Sequence, residues 1–140
     1  MPQLRRAWAT AWTAGTAAGL ALALADAHGT YLGSTLVWFG PLLAVQSLVG
    51  ADVLRQRRAE RLRILAPALF YLWSVDGIAI GVGVWHISAD HTYGWAALGL
   101  PLEEAVFFAL TSLLVVNGLV LGTDAQVQAR VLRRPLVRRW

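Results

Sequence analysis

Cysteine and lysine are both missing from this 140-residue chain, and methionine occurs once. Without cysteine there are no disulfides and no thiolate metal sites, and the redox compartment is left open. Charge is scarce as well: 14% of the residues are charged against 57% hydrophobic, and the mean hydropathy is +0.55. So large an apolar excess is more than one small soluble core requires, and it needs lipid.

Four stretches meet or approach the roughly 20 apolar residues of a membrane-crossing helix: 7 to 25, 32 to 51, 64 to 85 and 98 to 122. The expected fold is therefore all-α, a polytopic membrane bundle of about four transmembrane helices with no room for a second domain. All twelve basic residues are Arg, at 5 and 6, then 55, 57, 58, 61 and 63, then 130, 133, 134, 138 and 139. The loops 26 to 31 and 86 to 97 hold none. By the positive-inside rule both termini and the 52 to 63 loop face the cytoplasm, as in a multi-pass protein of a bacterial inner membrane. A net charge of +4 raises the question of nucleic acid, but no aromatic residues interleave with the Arg clusters, so nucleic acid is not expected and anionic lipid headgroups are the expected partners.

Residues 7 to 25 follow Arg5 and Arg6 and end in Ala21, Ala23 and Ala25, which also resembles a signal peptide with an A-x-A cleavage site. Nineteen or so residues is long for a signal core, and Gly15 and Gly19 form a G-x-x-x-G packing pattern, so a retained helix is the expectation. Pro41 should bend the second span. Gly77 and Gly81 should give the third a close-packing face near Asp76, and Asn117 should join helices deep in the fourth. Residues 85 to 95, with Trp85, His86, His91, Tyr93 and Trp95, read as a water-facing turn with interfacial anchors. Pro101 fits the first turn of the last helix.

A charge buried near the bilayer centre costs about 2.5 to 3.5 kcal/mol even on lenient scales, so intramembrane acids call for a function. Three stand in the spans: Asp76, nine residues before Trp85 and so roughly 13 Å below the end of its stretch, and the adjacent Glu103 and Glu104. Neighbouring helix positions differ by about 100°, so the two glutamates head separate stripes, one over Phe107 and one over Phe108, with Thr111 near both. Burial and a like charge nearby separate the proton affinities of such a pair, which makes a donor and an acceptor. Aromatic faces of Trp73, Trp85, Phe107 or Phe108 would stabilise a carbocation. The bland reading is an N-terminal charge pair meeting the helix dipole, and position alone leaves the two nearly balanced. Three scattered His residues without H-E-x-x-H give no metal site, and neither G-x-G-x-x-G nor G-x-S-x-G occurs, so no cofactor is expected.

The run PLEEAVFFALTSLLVVNGLVL from 101 to 121 resembles the lycopene cyclase domain of the heterodimeric bacterial, archaeal and fungal type, whose signature is P-L-E-E-x-x-F-F-x-x-T. Tyr71-Leu72-Trp73 with Asp76, then Trp85, Ile87 and Ser88, Thr92 and Gly94, and Tyr31-Leu32-Gly33 extend the likeness across residues 31 to 122, as the second of two repeats. The chain then divides into an Arg pair and first helix (1 to 30), the cyclase-like domain (31 to 122) and an Arg-rich cytoplasmic tail (123 to 140). The resemblance implies a subunit that pairs with a homologous one, encloses linear lycopene and closes a β-type end ring without net redox change. It further implies Glu103 and Glu104 for proton donation and removal, Asp76 as assisting acid or base, Trp85 and His86 at the mouth, and Trp73, Phe107, Phe108 and Thr111 along the substrate. A cyclase of longer C50 carotenoids is the alternative within the class; a proton-relay or non-catalytic membrane partner is the alternative outside it.

Overall fold

The computed structural model describes residues 1–132. Of the expected Arg-rich tail, Arg133, Arg134, Arg138 and Arg139 lie outside the described residues. Five helices follow one another: α1 (Pro2–Ala25), α2 (Thr30–Gln56), α3 (Arg58–Gly81), α4 (Leu102–Thr123) and α5 (Ala125–Leu132). A two-stranded hairpin, β1 (Ala96–Ala97) and β2 (Leu100–Pro101), leads into α4. Long apolar runs become helices because a helix satisfies its own backbone groups where no water can do so. Among the described residues three segments are long and apolar enough to cross a membrane: Ala27–Gln56, Arg58–Gly81 and Leu102–Thr123. The first expected span, 7 to 25, is helical as well. At 1.5 Å per residue α1 is about 36 Å long, but its many Ala and Thr residues leave it outside the three most apolar segments.

Close backbone approach joins α1 to α2. A methyl group at Gly33 would stand 2.5 Å from the Gly19 carbonyl oxygen, so the crossing tolerates only glycine there. Gly15, expected to share the packing face, has open space beside it. The small-residue contact therefore pairs one glycine from each helix rather than two on one helix. Past Pro41, α2 runs on until Gly50, where φ is −163° and ψ is 39°. A side chain at Gly50 would collide with Leu121 and Val127, so the break falls where α2 passes under α4 and α5.

Two apolar clusters form the interior. Phe39, Leu43 and Leu110 lie between α2 and α4, with Trp12 and Phe107 packed against them. Val53, Leu54, Leu65, Val116, Val120, Leu121 and Val127 bind the other end. There Arg130 grips Asp52 through both terminal nitrogens, at 2.9 and 2.6 Å, and Arg57 reaches Asp124 at 3.0 Å. Gln46 donates to the Leu114 carbonyl at 2.9 Å, a polar link between the middle of α2 and the middle of α4. Asn117, expected in that role, is buried with its Oδ1 unpaired among the described residues. α3 is the least enclosed: of its 24 residues only Leu65 and Asp76 are buried.

Candidate active site

The two Arg-free loops meet at one end of the bundle. A 3-10 turn, Ala27–Gly29, places His28 so that its Nδ1 lies 3.1 Å from the Thr92 carbonyl and 3.2 Å from that of Ala89. Carbonyls only accept, so Nδ1 carries the hydrogen. α3 stops at Gly81 rather than at 85, and Gly83 then takes a φ of +76° that glycine adopts without cost. Asp76 is therefore about 8 Å from the end of its helix, shallower than the sequence implies.

A tight turn delays α4 in the same way. Leu98 and Gly99 both have positive φ, 53° and 82°, in a two-residue hairpin that pairs Ala97 with Leu100. The helix begins at Leu102, not at 98, and Pro101 is its N-cap rather than part of its first turn. This register puts Glu103 and Glu104 at the second and third helical positions, where free N–H groups and the helix dipole favour carboxylates.

Both glutamates nevertheless point inward. Glu103 is 0% exposed and Glu104 8%, and Asp76 on α3 is 4% exposed. Glu103 Oε1 accepts from the Tyr93 backbone N–H at 2.8 Å, while its Oε2 is shut from water with no partner. Glu104 Oε1 accepts the Tyr31 hydroxyl at 2.6 Å. Asp76 Oδ2 is likewise shut from water with no partner. Buried unpaired oxygens are exceptional in folded proteins, and two of them on acids call for a reason. A simple interfacial charge pair does not supply one, since such carboxylates would turn to water. Among the described residues, no three His, Asp or Glu side chains converge closely enough to hold a metal ion.

Alongside runs an apolar groove of about 770 Å³ between α3, α4 and the hairpin, with Phe70, Trp73, Ile78, Trp95, Leu98 and Leu100 among its walls. Its lining also includes Gly77, Leu102 and Ala105, the chain neighbours of the three acids. Trp73 is the one expected substrate residue on these walls, and its indole N–H donates to the Ala105 carbonyl at 3.2 Å. Gly77 fits under the hairpin, where a methyl would stand 3.5 Å from the Leu98 carbonyl oxygen; Gly81 faces open space and packs nothing. Trp85 and His86 lie exposed on the turn after α3. Phe107 turns to the core, edge-on to Phe39 at 5.7 Å and to Phe108 at 5.6 Å. Thr111, half-buried, bonds back to the Phe107 carbonyl at 2.8 Å. Tyr31 is the site residue that pattern reading passed over. Its signal was faint: one hydroxyl at the head of an apolar run, whose partner lies 73 residues away.

Buried acids beside an apolar groove narrow the chemistry, and likeness to known proteins narrows it further. The chain is 41% identical over 92 residues to the lycopene beta-cyclase of Halobacterium salinarum, covering 65% of this chain and 38% of that protein. The chain belongs to the lycopene cyclase family. Fungal members include the bifunctional lycopene cyclase/phytoene synthases of Aspergillus oryzae, 36% identical over 106 residues, and Pyrenophora tritici-repentis, 44% identical over 95. These matches cover 72% and 64% of this chain, but 17% and 16% of the fungal proteins. The chain thus spans under two-fifths of the length of the archaeal cyclase it matches. No protein-family model and no solved structure matches it.

Proposed function

We propose that this protein is a membrane subunit of a lycopene cyclase, catalysing a redox-neutral, proton-initiated closure of lycopene end groups to β-type rings. The observation that carries the reading is the buried set Glu103, Glu104 and Asp76, with Tyr31 bonded to one member and a long apolar groove beside them. In the reaction a carboxylic acid gives its proton to the terminal double bond of the polyene. The resulting carbocation is attacked by a second double bond of the same end group, which closes the ring. A carboxylate then removes a proton from a carbon next to the new cation, leaving the ring double bond. One proton enters and one leaves, so no oxidant or reductant is consumed.

Glu103 and Glu104 take the donor and acceptor roles, with Asp76 assisting. The free oxygens on Glu103 and Asp76 suit proton transfer because no protein group competes for them. Trp73 lies along the polyene and offers a ring face to the cation. Trp85 and His86 flank the entrance beside Asp76, while Phe107, Phe108 and Thr111 back the glutamates one and two turns into the membrane.

A homologous subunit supplies the rest of the enclosure. One fact supports this: the open apolar side of α3, which shows Phe70, Tyr71 and Ile78. The termini and the Arg-rich end face the cytoplasm of a cell membrane, leaving the acid cluster near the outer surface. Replacing Glu103 or Glu104 with Gln, in a lycopene-accumulating host carrying the partner subunit, should lower ring formation by about 100-fold or more with membrane insertion unchanged. Cyclic product at the unsubstituted yield would overturn the assignment.

A further inference from the structure

At the end of the bundle opposite the acids, α1, α2 and α5 line an open cavity of about 480 Å³. Its walls combine three guanidinium groups, Arg5, Arg6 and Arg130, with the apolar side chains of Leu48, Val49 and Val131. Among the described residues no acidic side chain lines it. Asp52 holds Arg130 from behind through both terminal nitrogens, which fixes that guanidinium in place and offsets one of the three charges. The other two have no such acid: Arg5 and Arg6 make no ion pair among the described residues, and Arg5 Nε is shut from water without an acceptor. Guanidinium groups without an acid beside them leave their charge unmatched, and an anion in the cavity matches it.

The apolar walls decide which anion. Leu48 and Val131 expose about half of their surface, 52% and 48%, beside the cationic groups. A free inorganic ion would leave these side chains as they are; an amphiphile covers them with hydrocarbon while its charged head meets the guanidinium forks. We propose that this cavity binds the phosphate headgroup of an anionic membrane lipid, with the acyl chain lying over Leu48, Val49 and Val131. The site is built from residues remote from the acid cluster and stands whether or not the chain closes carotenoid rings.

Native mass spectrometry of the full chain, released from micelles holding equal phosphatidylglycerol and phosphatidylcholine, tests the proposal. One phosphatidylglycerol should stay bound per chain, and millimolar inorganic phosphate should not displace it. The double substitution Arg5→Gln with Arg6→Gln should weaken retention by about tenfold or more, while Arg5→Lys with Arg6→Lys restores most of it. Arg55→Gln with Arg58→Gln, exposed charges at the same end but off the cavity walls, should change nothing. Val131→Glu, at an exposed position, should repel the lipid with helicity by circular dichroism intact, which keeps the test valid if the double Arg variant folds poorly. Equal retention of phosphatidylcholine, displacement by inorganic phosphate, or undiminished binding in Val131→Glu would each overturn it.

Discussion

Tyr31 donates its phenolic hydrogen to Glu104 across 2.6 Å, tying the first turn of α2 to the first turn of α4. The bond fixes the direction in which the Glu104 carboxyl points and occupies one of its oxygens, so it orients the acid without touching the groove. Tyr31 is accordingly a positioning residue in the proposed reaction.

Tyr31→Phe removes the hydroxyl and leaves the ring in place. A hydrogen bond to a charged group contributes about 1.5 to 3 kcal/mol, so cyclisation should fall by about tenfold to a hundredfold, with an altered pH profile. In a Glu104→Gln background the same change should do little more. Additive losses in cyclisation rate, or an unmoved pH profile, would show that the hydroxyl acts only through packing.

Glycine at the α1–α2 crossing and glycine next to it should respond oppositely. Gly33→Ala drives a methyl into the Gly19 carbonyl and should cost about 1 to 3 kcal/mol. Gly15→Ala meets open space and gains helix propensity, so it should be neutral or stabilising by up to about 1 kcal/mol. Thermal unfolding of both variants in one detergent decides it; equal shifts would mean that the close approach does not govern stability.

Asp52→Asn keeps the shape of a buried side chain and removes the charge that Arg130 grips at two points. Loss of paired charge-assisted bonds should destabilise the chain by about 1.5 to 3 kcal/mol, read as a lower unfolding midpoint. Because α5 is held by this pair, proteolysis near residues 125 to 132 should also accelerate. An unchanged cleavage rate would place the anchoring of α5 in the Val127 contact alone.

Much of the helical order was legible because apolar length is a one-dimensional signal: the second, third and fourth expected spans match α2, α3 and α4 within a few residues. The ends were harder, since α3 and α4 are trimmed by positive φ at Gly83, Leu98 and Gly99, and leucine gives no hint of a left-handed turn. Glu103, Glu104 and Asp76 were readable as acids out of place. Their inward direction was not, because it depends on the hairpin that sets the start of α4. Tyr31 and the Arg5, Arg6 and Arg130 cavity draw on segments far apart in the chain, and pairing across such distances leaves no periodic trace. Pro41 drew attention from Gly50, where the room needed by Leu121 and Val127 overrides local propensity.

The glycine crossing of α1 and α2 also orders events in time. Two helices joined by a four-residue link and packed backbone to backbone need nothing later in the chain, so they can pair as soon as both are in the membrane. α3, with two buried residues, gains little from its own chain and should settle last, when its open side is covered. Hydrogen exchange should therefore find the amides of α1 and α2 slower than those of α3 in the isolated chain, and α3 slowed selectively once the proposed partner subunit is added. On this view the chain enters the membrane as a finished helical pair carrying an unfinished third wall.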